Sequence, residues 1–219
     1  MPTDANPLKL NYYRPIHGWC LVIFLFALPV IGFVIVRFLP DHETMTILGA
    51  FFAIGLLAVI LAVAPLGWAA FPALGLRPAP WKYAIFGALG TLALSVAVSQ
   101  LGIEPQGMKQ VVEIVREPHQ LMLSLLLLAV LAPFVEELIF RGLLYGWIAG
   151  RWGGLPAWIV SSIAFAAAHY EPAHAILVLP LGVLFGWLRR RTDSLLPSLV
   201  AHVINNGFAL LAAVYLPGV

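Results

Sequence analysis

Apolar residues fill seven stretches of this chain, roughly 17–39, 44–71, 81–101, 119–150, 155–170, 173–188 and 195–216, separated by short polar or proline-containing breaks. A helix rising 1.5 Å per residue needs about 20 apolar residues to cross a hydrocarbon core of about 30 Å. The pattern therefore predicts an all-α, polytopic transmembrane helix bundle of about seven spans. Six to eight remain open, because the fifth and sixth stretches are short for full crossings. The fourth is long enough to be tilted, kinked near Pro133 or broken in two, and a break would reverse the side of everything after it.

Composition sharpens this picture. The chain is 62% hydrophobic and 10% charged, with a mean hydropathy of +0.96. A soluble domain carries about 25% charged residues, so the pattern is that of an integral membrane protein. Its 219 residues suffice for one bundle with short loops and leave no room for a soluble catalytic domain, so any chemistry belongs inside the bundle. A net charge of +2, with basic residues dispersed among loops, argues against nucleic acid as a partner and for the lipid bilayer. The single cysteine, Cys20, excludes an intrachain disulfide and a thiolate metal cluster and reads as a small core residue.

With seven spans, Lys9, Arg14, Arg77, Lys82, Arg151 and the run Arg189-Arg190-Arg191 share one side, while Asp41, Glu43, Glu104, Glu113, Glu117 and Glu171 lie on the other. The basic side is expected to be cytoplasmic, which places the N-terminus inside and the C-terminus outside, in the cell inner membrane. The first apolar run is too long for the core of a signal peptide of about 7 to 15 residues and is expected to stay as an anchor. The last four residues carry no cysteine, so the chain is not expected to be a prenylation substrate itself.

No repeat or long linker divides the sequence, although residues 105–120 form a polar loop with room for a short interfacial helix. Residues 1–118, spans one to three, are nearly bare of polar groups at depth and read as a scaffold. Residues 119–219, spans four to seven, hold the candidate chemistry, and the two parts are expected to form one structural unit.

Within the fourth stretch stand Glu136, Glu137 and Arg141. A charge at the centre of a spanning helix costs roughly 2.5 to 3.5 kcal/mol on insertion scales, so ionisable residues there are functional candidates. Glu137 and Arg141 are four apart with the acid first, the favourable order for an ion pair on one helix face. Glu136 projects about 100° away and is left free to face a wet pocket as a general base. His169 is a candidate partner for it, or else a satisfied interfacial histidine. Phe165, one turn earlier on the same face, would wall the pocket. His202 and Asn206, again four apart, could converge as donors on an oxyanion or serve as an interhelical polar clasp. Asn205 faces elsewhere. His17, Arg37 and His119 lie at expected span ends, where snorkelling accounts for them. His174 and Glu171 flank the pocket end of span five as supporting candidates.

Taken together, Glu136-Glu137-Leu138-Ile139-Phe140-Arg141, Phe165-x-x-x-His169 and His202-x-x-x-Asn206, in that order, resemble the CPBP family of CAAX-processing and bacteriocin-processing intramembrane endopeptidases. This family is also known as the type II CAAX prenyl endopeptidase or ABI family and includes lysostaphin-resistance-like proteins. The likeness covers about residues 121–216. It implies a helical bundle that hydrolyses peptide bonds, with Glu136 and His169 activating water and His202 and Asn206 forming the oxyanion hole. Glu137 and Arg141 would order the site. The family has also been described as metalloproteases, and Glu136, His169 and His202 could supply a zinc set with an open position. No His-Glu-x-x-His helix is present and asparagine is a poor zinc ligand, so the metal-free glutamate mechanism is favoured and no cofactor is expected.

The implied partner is a peptide or protein substrate, either lipidated or carrying a C-terminal sorting segment. The principal rival is a non-enzymatic membrane peptide-binding or immunity protein. Such a protein would have little use for three costly polar residues, Glu136, His169 and His202, held in lipid. A proton-coupled transporter would be expected to show internal repeats, and none is evident.

Overall fold

The computed structural model describes residues 16–38, 44–117 and 120–215, which are helical throughout their length apart from turns. Eleven α-helical pieces are described: α1 (Gly18–Phe38), α2 (Thr44–Val63), α3 (Ala70–Leu74), α4 (Lys82–Ser99), α5 (Gln106–Val115), α6 (Leu121–Ser124), α7 (Ala132–Glu137), α8 (Tyr145–Trp152), α9 (Gly154–Ala167), α10 (Pro172–Thr192) and α11 (Leu196–Tyr215). Lys9, Arg14, Asp41, Glu43 and His119, invoked above for orientation and span ends, lie outside the described residues.

Six helices among the described residues are long and apolar enough to cross a membrane. The fifth apolar stretch is the short one, as its length predicts, so six full-length spans and one shorter apolar helix fall within the expected six to eight. Its helix α9 has 14 residues, about 21 Å of rise, and falls short of the hydrocarbon thickness. The sixth stretch is longer than its apolar run suggested, because α10 continues through Arg189, Arg190 and Arg191 for 21 residues. It leaves the membrane on its charged end.

The fourth stretch is not broken. α6, α7 and α8 form one 32-residue helix, Leu121–Trp152, in which two seven-residue π-helical segments, Leu125–Leu131 and Leu138–Leu144, separate the α-helical pieces. Pro133 has no N–H to give to the preceding turn, and the first π segment ends just ahead of it. The helix is thereby underwound twice, and Glu136 and Glu137 stand between the two irregular turns.

The expected interfacial helix is α5, strongly amphipathic, with Val115 buried beside Leu210 of α11 and Ala129 of the long helix. A Gln106 backbone N–H at its start donates to Glu171 at 2.7 Å, tying it to the turn between α9 and α10. At the opposite end of the bundle, Arg77 meets Asp193 at 2.6 Å and Leu195 N–H donates to the carbonyl of Gly75 at 2.9 Å. Gly75 adopts φ +84°, a left-handed turn that L side chains rarely take. Arg77, Arg189, Arg190 and Arg191 are thus gathered at one end of the bundle, and Glu171 at the other.

Small residues set the helix contacts that carry the site. An added Cβ at Gly182 would meet Phe165 at 2.9 Å, and one at Gly186 would meet Trp158 at 2.6 Å, so α9 and α10 pack backbone to ring. The third span is less bare than its sequence suggested. α4 packs on α10 and α11, and its Thr91 and Ser95 hydroxyls both donate to Oδ1 of Asn205.

Candidate active site

Four helices contribute side chains to one buried polar cluster. Glu137 and Arg141, four residues apart on the long helix, are fully buried and meet at 3.0 Å between Oε1 and Nη1. The second carboxylate oxygen of Glu137 accepts a hydrogen bond from Ser198 Oγ at 2.6 Å. His202, one turn beyond Ser198 on α11, brings Nδ1 to 3.4 Å from Glu137 Oε1. Glu137 is therefore held by three groups from two helices and has no freedom to move toward a substrate.

Glu136 is in a different situation. Its side chain retains 23% exposure, and its one ion-pair neighbour among the described residues is Nε2 of His202, 3.6 Å from Oε2. That distance is beyond a hydrogen bond, so both atoms keep capacity for a third group between helices. The imidazole of His202 spans the two glutamates, with one nitrogen toward each.

Aromatic rings frame this arrangement. Phe165 is buried and holds the guanidinium of Arg141 over its face at 4.3 Å. Its edge contacts His202 and His169 at centroid separations of 5.6 and 5.1 Å, so it stands against both imidazoles. Phe185 stacks on His202 at 4.7 Å. The remaining amino group of Arg141, Nη2, donates to the carbonyl of Gly182 at 3.0 Å, which Ser162 Oγ also meets at 3.0 Å. The clamp on Arg141 thus reaches α9 and α10 as well as its own helix.

His169 lies in the turn just after α9 and is placed by a contact of its Nδ1 with the carbonyl of Phe165 at 2.9 Å. This leaves Nε2 as the ring nitrogen free to act. His169 makes no hydrogen bond or ion pair with Glu136; its ring neighbour on the far side is His174, at a centroid separation of 4.5 Å. The histidine beside Glu136 is His202. The direct Glu136–His169 contact anticipated from the sequence is not made in this conformation.

Asn206 donates through Nδ2 to the carbonyl of Leu128 at 3.0 Å, and its Oδ1 accepts from Asn205 Nδ2 at 3.4 Å. The Leu128 carbonyl is available for a reason. In the first π segment the Ala132 N–H reaches back five residues to Leu127, and the next donor in that register is Pro133, which has none. One N–H of the Asn206 amide fills that position, and the other remains for a ligand.

Ser198, Phe185 and Arg189 were not singled out from the sequence. Ser198 carried a readable signal, since Ser198, His202 and Asn206 follow at successive four-residue steps along one face of α11. Arg189 was read only as part of a topological charge run. Glu171 caps α5 instead of joining the cluster, His17 stacks on Trp19, and Arg37 is exposed at the end of α1.

As to a metal, no three histidine, cysteine, aspartate or glutamate side chains among the described residues are gathered closely enough to hold one. Glu136, His169 and His202 are not close enough together in this conformation to hold a zinc ion, and no step below is routed through zinc. An open apolar groove of about 550 Å³ between α4, α9 and α10, lined by Leu94, Trp158, Leu184 and Trp187 among others, is separate from the polar cluster.

Comparison with known proteins bears on this half of the chain. Residues 118–208 match the family described as type II CAAX prenyl endopeptidase Rce1-like. Over 89 residues, 41% of this chain, the sequence is 27% identical to the Bacillus subtilis (strain 168) protein named "Putative membrane peptidase YdiL". The match spans 36% of that relative's length. No solved structure matches significantly.

Proposed function

We propose, on the match of residues 118–208 to the Rce1-like type II CAAX prenyl endopeptidase family, that this integral membrane protein is an intramembrane endopeptidase acting on a membrane-associated peptide. The observation that carries the reading is the contrast between adjacent glutamates. Glu137 is locked by Arg141, Ser198 and His202, whereas Glu136 is partly exposed and uncommitted beside Nε2 of His202.

In the proposed reaction Glu136 takes a proton from a water molecule as its oxygen attacks the scissile carbonyl carbon. His169, with Nδ1 turned to the Phe165 carbonyl, offers Nε2 to the same water. Charge then gathers on the former carbonyl oxygen. The free N–H of Asn206 and Nε2 of a doubly protonated His202, whose Nδ1 donates to Glu137, are the donors placed to receive it. The proton held by Glu136 passes to the departing amine as the C–N bond breaks, and a carboxylic acid and an amine leave with Glu136 restored as a carboxylate. Glu137, Arg141 and Phe165 keep the imidazole of His202 in place throughout. Glu136, His169 and His202 stay the ligand set of the rival zinc-dependent version.

We place the arginine-rich end of the bundle, with Arg77, Arg151 and Arg189 to Arg191, on the cytoplasmic side of the inner membrane. Substrates with a lipidated cysteine and those with a plain C-terminal segment both fit this reading. The test is hydrolysis of quenched fluorescent peptides, prenylated and unmodified, by the full chain in detergent, with and without a chelator. Cleavage in either peptide arm supports the endopeptidase. Loss on chelation with rescue by zinc would establish the metal version, and binding without cleavage by any peptide would support the immunity or binding reading.

A further inference from the structure

The second π segment leaves a carbonyl that the helix itself passes over. The Tyr145 N–H reaches the carbonyls of Phe140 and Gly142, and the one between them, that of Arg141, is taken by the side chain of Arg189 through Nε at 3.0 Å. Arg189 lies on α10, fully buried, with its guanidinium 4.8 Å over the ring of Tyr145 and Nη1 at 2.8 Å from Asp193. The turn at Gly75 makes room for it, since a Cβ there would come within 2.8 Å of the guanidinium carbon. Its neighbours in the run behave differently, as Arg190 and Arg191 are exposed.

We propose that Arg189 is a positioning residue for the reaction, fixing the π register of the long helix so that Arg141 points its guanidinium at Glu137 and, through Glu137, holds His202. The chain of contacts is continuous: Arg189 Nε to Arg141 O, Arg141 Nη1 to Glu137 Oε1, Glu137 Oε1 to His202 Nδ1, and His202 Nε2 toward Glu136. The backbone and the side chain of Arg141 are thus gripped by α10 and α9 from opposite ends. Without the Nε–H the Arg141 carbonyl loses that donor, and the turn relaxes toward regular α-helix, turning Arg141 relative to the Phe165 ring and the Gly182 carbonyl that fix its guanidinium beside Glu137. A guanidinium suits the position because its flat face also stacks on Tyr145 while Nη1 reaches Asp193.

The proposal rests on the endopeptidase reading only for its kinetic consequence. The full chain in detergent, labelled with 15N-arginine, is compared with Arg189→Lys and Arg189→Met by side-chain proton exchange of Arg141, thermal unfolding and peptide hydrolysis. Lysine keeps the charge toward Asp193 but loses the Nε–H. In Arg189→Lys the Arg141 guanidinium protons are expected to exchange faster and kcat to fall by about tenfold to a hundredfold at similar KM and melting temperature. Unchanged exchange at Arg141, or an unchanged kcat in a variant that exchanges faster, overturns the proposal. Should Arg189→Met fail to fold, Arg189→Lys alone decides. Should the parent cleave no peptide, the endopeptidase reading fails separately, and Arg141 exchange still decides whether Arg189 positions Arg141.

Discussion

Nδ1 of His202 lies 3.4 Å from Oε1 of Glu137, the same oxygen that Arg141 meets at 3.0 Å. One atom of one carboxylate therefore joins the buried arginine of the long helix to the histidine of α11. The consequence is a division of labour between two adjacent glutamates that share a sequence motif but not an environment.

Glu137→Gln is expected to destabilise the protein strongly. Breaking a buried ion pair by removing one partner costs about 3 to 5 kcal/mol, because the other charge is stranded. Glu136→Gln, at a partly exposed site with no such bond, is expected to melt with the parent. Thermal unfolding of the two variants in detergent checks this, and equal melting temperatures would refute the asymmetry.

Ser198→Ala removes the 2.6 Å hydrogen bond to Glu137 Oε2. Hydrogen bonds to charged groups are worth about 1.5 to 3 kcal/mol, so the loss should be smaller than for Glu137→Gln but measurable by the same melt. Activity should fall less than stability suggests, since Arg141 still holds the carboxylate.

Much of the fold was legible from apolar run lengths, and the Glu137–Arg141 contact from a four-residue spacing. The identity of the histidine beside Glu136 was not, because it depends on how α11 crosses the long helix and on Phe165 standing against His169. Nor do side-chain patterns announce a π turn. Pro133 was the one visible sign of irregularity, and it marked the place where Asn206 later proved to be needed.

Asn206 has two roles that a pair of substitutions can separate. Asn206→Ala should strip the Leu128 carbonyl of its donor and remove an oxyanion donor, lowering kcat by about 10² to 10³. Adding Pro133→Ala supplies a backbone N–H in the position that would reach that carbonyl. The double variant is expected to recover melting temperature relative to Asn206→Ala but not kcat. Recovery of both would reduce Asn206 to an interhelical clasp.

Gly182→Ala places a methyl 2.9 Å from Phe165 and 3.3 Å from the Ser162 carbonyl. Overpacking of this kind costs about 1 to 3 kcal/mol, and the ring most able to move is the one lying under Arg141. Reduced kcat at similar substrate affinity is expected, measured on the same peptides.

The most direct test of the whole account is single-turnover hydrolysis of a membrane-embedded peptide by the parent and by Glu136→Gln, each with and without a zinc chelator. The account predicts cleavage by the parent that survives chelation, and its loss in a Glu136→Gln protein that still binds the peptide and melts normally. Undiminished cleavage by Glu136→Gln, or parent activity abolished by the chelator and restored by zinc, would contradict it.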